Sequence, residues 1–102
     1  MSITIGNYPF EGPFADPASL KNASGVYSIL TRATTSDRYS VVDIGESAAV
    51  RDRVTNHDRQ DCWKRNKKQA GLFYAAYYCD EKTRTSVEKR LRGEYNPPCG
   101  DQ

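Results

Sequence analysis

The apolar residues of this chain fall into short runs of two different spacings, and the change of spacing marks its elements. Gly25-Val26-Tyr27-Ser28-Ile29-Leu30-Thr31 is dense in β-formers and predicts a strand. Ala33 to Arg38 is polar and predicts a loop. Tyr39 to Gly45 predicts a second strand, antiparallel to the first. The spacing then changes from two to four. Val50 and Val54 share one face of a short helix, and Ser47 stands where an N-cap hydroxyl would accept an orphan N–H. Asp61 to Gln69 predicts a second helix, stopped by Gly71. Leu72 to Cys79 predicts a third strand, apolar enough for the middle of the sheet. Asp80 to Arg84 reads as a loop, and Thr85-Ser86-Val87-Glu88 opens a last helix with Val87, Leu91 and Tyr95 on one face. Pro97-Pro98 ends it, leaving a short tail from Cys99 to Gln102.

Ahead of these elements, residues 1–24 read as an arm punctuated by Gly12-Pro13 and Asp16-Pro17. Its Ile3, Ile5, Tyr8, Phe10 and Phe14 are expected to cover the core. Asp16 as N-cap with Pro17 at the first helical position predicts a short helix ending near Asn22. The order implies an α+β domain over residues 1–102, a small three-stranded antiparallel sheet flanked by helices.

Composition narrows the classes. The chain has 102 residues and a formal net charge of +2, with no apolar run long enough to span a bilayer. Met1-Ser2-Ile3-Thr4-Ile5 lacks the basic head and apolar run of a secretory signal. Three cysteines, Cys62, Cys79 and Cys99, are an odd number at wide spacing, which argues against a disulfide framework and for a reducing, cytoplasmic location. The charge is unevenly spread: Arg51 to Arg92 holds 12 Lys and Arg against 6 Asp and Glu. One polyanion-facing side follows from that asymmetry, although an unevenly charged solvated surface would look the same.

The candidate chemistry clusters around the second strand and the helix after it. Arg53 and His57 are four apart and can hold a phosphate between a guanidinium and an imidazole. Arg59, Lys64, Arg65, Lys67 and Lys68 surround Trp63, a pattern that fits backbone contacts with a base stacked on the indole, or equally a tryptophan anchoring its helix to the core. Thr85-x-x-Glu88 is also a capping box, in which Glu88 would only bond a backbone N–H. His57-Asp58 lacks the further histidines that a phosphohydrolase pair of this kind needs. His57 with the three cysteines lacks the close cysteine pair of a structural zinc site.

Taken in order, Gly25-Val26-Tyr27, Asp43-Ile44-Gly45, Arg53, His57, Glu88 and the ending Tyr95-Asn96-Pro97-Pro98-Cys99-Gly100 resemble the GIY-YIG nuclease superfamily over about residues 24–100. The resemblance implies a metal-dependent endonuclease acting on nucleic acid, DNA in the first place. It assigns Tyr27 to preparing the attacking water, Arg53 and His57 to the phosphate, and Glu88 to one Mg²⁺ or Mn²⁺. Two positions depart from the pattern. Asp43 replaces the second tyrosine, where a carboxylate could accept a proton or bond the following turn, and Gly100 replaces a late asparagine. These departures leave room for a catalytically impaired module that binds nucleic acid or protein. A single small domain further implies weak sequence specificity, or specificity supplied by a partner protein.

Overall fold

The computed structural model describes residues 1–100; Asp101 and Gln102 of the expected tail lie outside them. Five strands form one sheet: β1 (Ser2–Ile5), β2 (Tyr8–Phe14), β3 (Gly25–Thr31), β4 (Ser40–Ser47) and β5 (Leu72–Tyr78). The order across the sheet is β1-β2-β5-β3-β4, and every pairing is antiparallel. The helices are α1 (Val50–Thr55), α2 (Gln60–Arg65) and α3 (Glu81–Tyr95), with one 3₁₀ turn at Pro17–Ser19.

The three-stranded sheet expected from the sequence is therefore corrected to five strands. The arm covers the core as expected, with Ile5 and Phe10 buried, but it does so as a hairpin that pairs with β5 through β2. Ile5 and Tyr8 face each other across Gly6-Asn7, and Gly6 takes the positive φ of 60° that such a two-residue turn needs at its first position. Gly12 and Pro13 inside β2 are tolerated because they fall where the β2–β5 register shifts between Glu11 and Phe14. β5 does lie in the middle of the sheet, between β2 and β3.

Period-two alternation sends the residues of β3 to two different cores. Val26 and Leu30 pack with Ile44, Phe10, Val87 and Leu91 under α3. Tyr27 and Ile29 pack with Val42, Val50, Val54 and Trp63 under α1 and α2. The shared face of Val50 and Val54 is fully buried there, each side chain contributing about 1.5–3 kcal/mol of burial.

Element boundaries moved where caps came from unexpected residues. β4 continues through Ser47, so Ser47 does not cap α1; its Oγ accepts from Ala49 N, while the α1 amide of Asp52 is satisfied by Asn22 Oδ1 at 3.0 Å. α2 stops at Arg65 rather than Gln69. α3 starts at Glu81, within the expected loop, because Asp80 Oδ1 accepts from Thr83 N at 2.8 Å. Thr85 thus lies inside the helix and forms no capping box with Glu88.

The cysteine reading is corrected too. Cys62 of α2 and Cys99 of the tail form a disulfide, leaving Cys79 as the free thiol. The cysteine argument for a reducing compartment loses its premise. After α3 the tail crosses the outer edge of β4, where Cys99 N donates to Val42 O at 3.1 Å, and so reaches α2. No helix of the described residues is long and apolar enough to cross a membrane.

Candidate active site

The site lies where β3, β4, the α1–α2 connection and α3 meet. Tyr27 on β3 is opposite Gly45 on β4. The phenol ring lies over that glycine, and a Cβ there would run into the Tyr27 hydroxyl. Gly45 is thus required by close approach, not by backbone conformation.

Tyr27 Oη is 2.6 Å from His57 Nε2. The other imidazole nitrogen fixes the direction of this bond. His57 Nδ1 accepts the backbone N–H of Arg59 at 3.0 Å, so the neutral ring carries its proton on Nε2 and donates to Tyr27 Oη. The phenol's own proton is left to donate elsewhere. Burial lowers the His57 pKa to about 4, helped by the positive charges of Arg53 and Arg59 and opposed by Asp43 and Asp58. The 3.3 Å contact of His57 Nδ1 with Asp58 is therefore no ion pair at neutral pH. Burial also pushes Tyr27 up to about 12, while Arg59 and Arg53 beside it pull down.

A histidine with a depressed folded pKa stays neutral in the fold between about 4 and its unfolded value near 6.5, while the unfolded chain takes up a proton. Stability must then fall as pH drops through that window, by up to about 3 kcal/mol. Denaturant melts from pH 7 to pH 4.5 are expected to show this slope, and His57→Gln to flatten it. A variant that titrates in parallel with the wild type would assign the slope to carboxylates instead.

Asp43 takes a different place from the one expected of it. It is fully buried, and its two oxygens accept from Arg59 Nε (2.8 Å) and Nη2 (3.2 Å), Trp63 Nε1 (2.7 Å), Arg92 Nη1 (3.0 Å) and Ile44 N (2.8 Å). With every lone-pair direction engaged, it is a structural acceptor and not an available base. Two nearby residues change their reading with it. Trp63 is 2% exposed, so it anchors α2 and offers no face to a base on the open surface. Arg59 spends its guanidinium on Asp43. Lys64, Arg65, Lys67 and Lys68 remain exposed. Arg92, which the sequence reading passed over, reaches Asp43 and the Ile44 carbonyl from α3 and also donates to Cys99 O at 2.8 Å. Its only sequence signal is its place one turn after Glu88.

Arg53 is held by Asp58, Nη2 to Oδ1 at 3.1 Å, in a pair whose acid is 75% exposed. Such a pair contributes little and is readily exchanged for another anion. Glu46 is occupied by Arg84 at 2.6 Å. Glu88 is half-buried and makes no hydrogen bond or ion pair with another described residue. Its carboxyl is raised by burial, with Arg92 and Arg59 opposing and Glu46 and Asp43 adding to the rise. Asp43 and Arg59 act electrostatically on Tyr27, His57 and Glu88 alike, so all three lie within range of that buried ion pair. Among the described residues no group of three or more His, Cys, Asp or Glu could hold a metal unaided. No family model, curated protein or solved structure matches this chain.

Proposed function

We propose that this chain is a GIY-YIG-type phosphodiesterase that hydrolyses nucleic-acid phosphodiester bonds, DNA above all, with the help of Mg²⁺ or Mn²⁺. The observation that carries the reading is the 2.6 Å Tyr27–His57 hydrogen bond, flanked by two guanidiniums, with Glu88 as the carboxylate left over in the same neighbourhood. Glu88 fits a hydrated divalent ion, since Mg²⁺ retains several waters and takes one or two carboxylates plus substrate phosphates. When bound, the ion supplies charge neutralisation at the departing oxygen.

The protein's own groups do the rest. Arg53 leaves Asp58 for the phosphate and faces the negative charge growing on its equatorial oxygens. Tyr27, once ionised, takes the proton of the attacking water as the oxygen–phosphorus bond forms. The Nε2–H of His57 and the neighbouring guanidiniums stabilise that phenolate, a role for which a neutral histidine is the right form. Because Tyr27 ionises only near pH 12, the rate should rise with pH across the neutral range. Lys64, Arg65, Lys67 and Lys68 supply backbone contacts, and affinity falls with salt as the phosphates they neutralise release counterions.

The test is nicking of supercoiled plasmid with Mg²⁺ or Mn²⁺. Glu88→Ala, Arg53→Ala and Tyr27→Phe are each expected to lose about 10²-fold or more; wild-type rates in all three would end the proposal. Asp43 favours a second reading, a module that binds nucleic acid or protein without cleaving. Its position belongs to a tyrosine in the resembled pattern, and its oxygens are fully engaged. Salt-sensitive binding with no nicking under either metal would select the nucleic-acid form of that reading.

A further inference from the structure

Residues 56–59 join α1 to α2. His57 buries its ring completely, while the side chain of the next residue, Asp58, is 75% exposed. One Asp58 oxygen nevertheless folds back over the site. Its Oδ1 lies 3.1 Å from Arg53 Nη2 and 3.3 Å from His57 Nδ1. Only the first of these contacts is attractive. His57 Nδ1 already accepts the Arg59 N–H at 3.0 Å and presents a lone pair, not a proton, in the neutral ring. Two acceptors therefore face each other at 3.3 Å, and the Arg53 guanidinium is what holds the carboxylate there.

Arg53 is the group that a bound phosphate needs. Its side chain is 39% exposed, and its charge reaches Tyr27 and His57, lowering the pKa of both. Among the described residues, Asp58 is the one acid paired with it. A carboxylate oxygen and a non-bridging phosphate oxygen are the same kind of acceptor for a guanidinium N–H, so one Nη2 edge cannot serve both in full. While Asp58 stays, the site holds an anion of its own and repels a second.

We propose that Asp58 is an internal competitor for the phosphate site, an acid that sets how tightly a phosphodiester must bind before it takes Arg53. The proposal rests on the phosphodiesterase reading and adds an affinity-determining residue to it. A strand phosphate gains Arg53 by displacing the carboxylate, which moves into solvent and is hydrated there. The displacement raises KM and leaves the chemical step alone, since Asp58 has already left Arg53 once substrate is bound.

Asp58→Ala and Asp58→Asn should each lower the KM for nicking supercoiled plasmid by up to about fivefold, the range of an exposed ion pair, with kcat unchanged. A fluorescein-labelled oligothymidylate, titrated without divalent metal, should bind more tightly by the same factor. In the Arg53→Ala background that gain should be largely lost, because the competition needs the guanidinium. Both side chains reach solvent, so the variants should keep the wild-type melting curve. A higher KM or a lower kcat would make Asp58 the residue that positions Arg53, and an unchanged KM would make it a bystander; either result overturns the competitor. So does a gain of the same size without Arg53, which would be the field of one lost charge. Failure of the wild type to nick with either metal removes the phosphodiesterase reading alone, because the oligothymidylate titrations read the competition without cleavage. Absence of oligothymidylate binding by wild type and variants alike overturns both.

Discussion

Asp43→Asn is expected to lower stability by about 3–5 kcal/mol, a large part of the margin that holds a domain of this size together. The carboxylate is fully buried and answers two guanidiniums, an indole N–H and a backbone N–H. An amide keeps the volume but removes the negative charge and turns an NH₂ group toward donors. Arg59 and Arg92 are then left partly desolvated without a counter-charge, their side chains 28% and 13% exposed. Asp43→Tyr, which restores the tripeptide of the resembled family, should be no better: a phenol cannot replace a carboxylate between two cations. Denaturant melts decide the matter, with a double-mutant cycle against Arg92→Leu expected to be strongly non-additive. A loss under about 1 kcal/mol for Asp43→Asn would show that the hub is hydrated and dispensable.

The same residue shows what sequence patterns convey and what they hide. In the ordered set Tyr27, Asp43, Arg53, His57 and Glu88, strand and helix periodicity fixes which face each residue occupies, and Tyr27 and His57 meet in a hydrogen bond. Periodicity gave no sign of what Asp43 bonds. Its partners Arg59, Trp63 and Arg92 come from three separate segments, and only the three-dimensional path of α2 and α3 brings them to β4. Arg92 is one of five basic residues in the last helix, and nothing local sets it apart. The β1–β2 hairpin was legible in principle. Ile3, Ile5, Tyr8 and Phe10 bracket Gly6-Asn7, a two-residue turn signal, but Pro9, Gly12 and Pro13 weigh against a strand when read one by one. The start of α3 was hidden in a similar way, a polar first turn masking the Asp80 cap. Trp63 illustrates a choice between two permitted roles, base stacking or core anchor, which only burial decides.

Breaking the Cys62–Cys99 bond is expected to cost about 3–4 kcal/mol, the loop-closure value for residues separated by 37 positions. It should also be felt at the Asp43 hub. The bond pins the tail across the edge of β4, where Cys99 N donates to Val42 O and Cys99 O accepts from Arg92 Nη2. Gly100 lies so close to the Arg92 guanidinium that a Cβ there would collide with it. The tail therefore holds Arg92, Arg92 holds Asp43, and the other cysteine sits beside Trp63, a further Asp43 donor. A protein melted in its oxidised form and again with a dithiol reductant should lose about 15 °C or more in Tm, at about 4–8 °C per kcal/mol for a domain of this length. Cys62→Ser should match the reduced protein and no longer respond to reductant. Transmission to the hub is read separately: in the Cys62→Ser background, Asp43→Asn should cost less than in the wild type, because Arg92 is already loosened. An undiminished cost would confine the disulfide to chain entropy alone, and an unchanged Tm on reduction would mean that packing of the tail against β4, not the bond, keeps Arg92 in place.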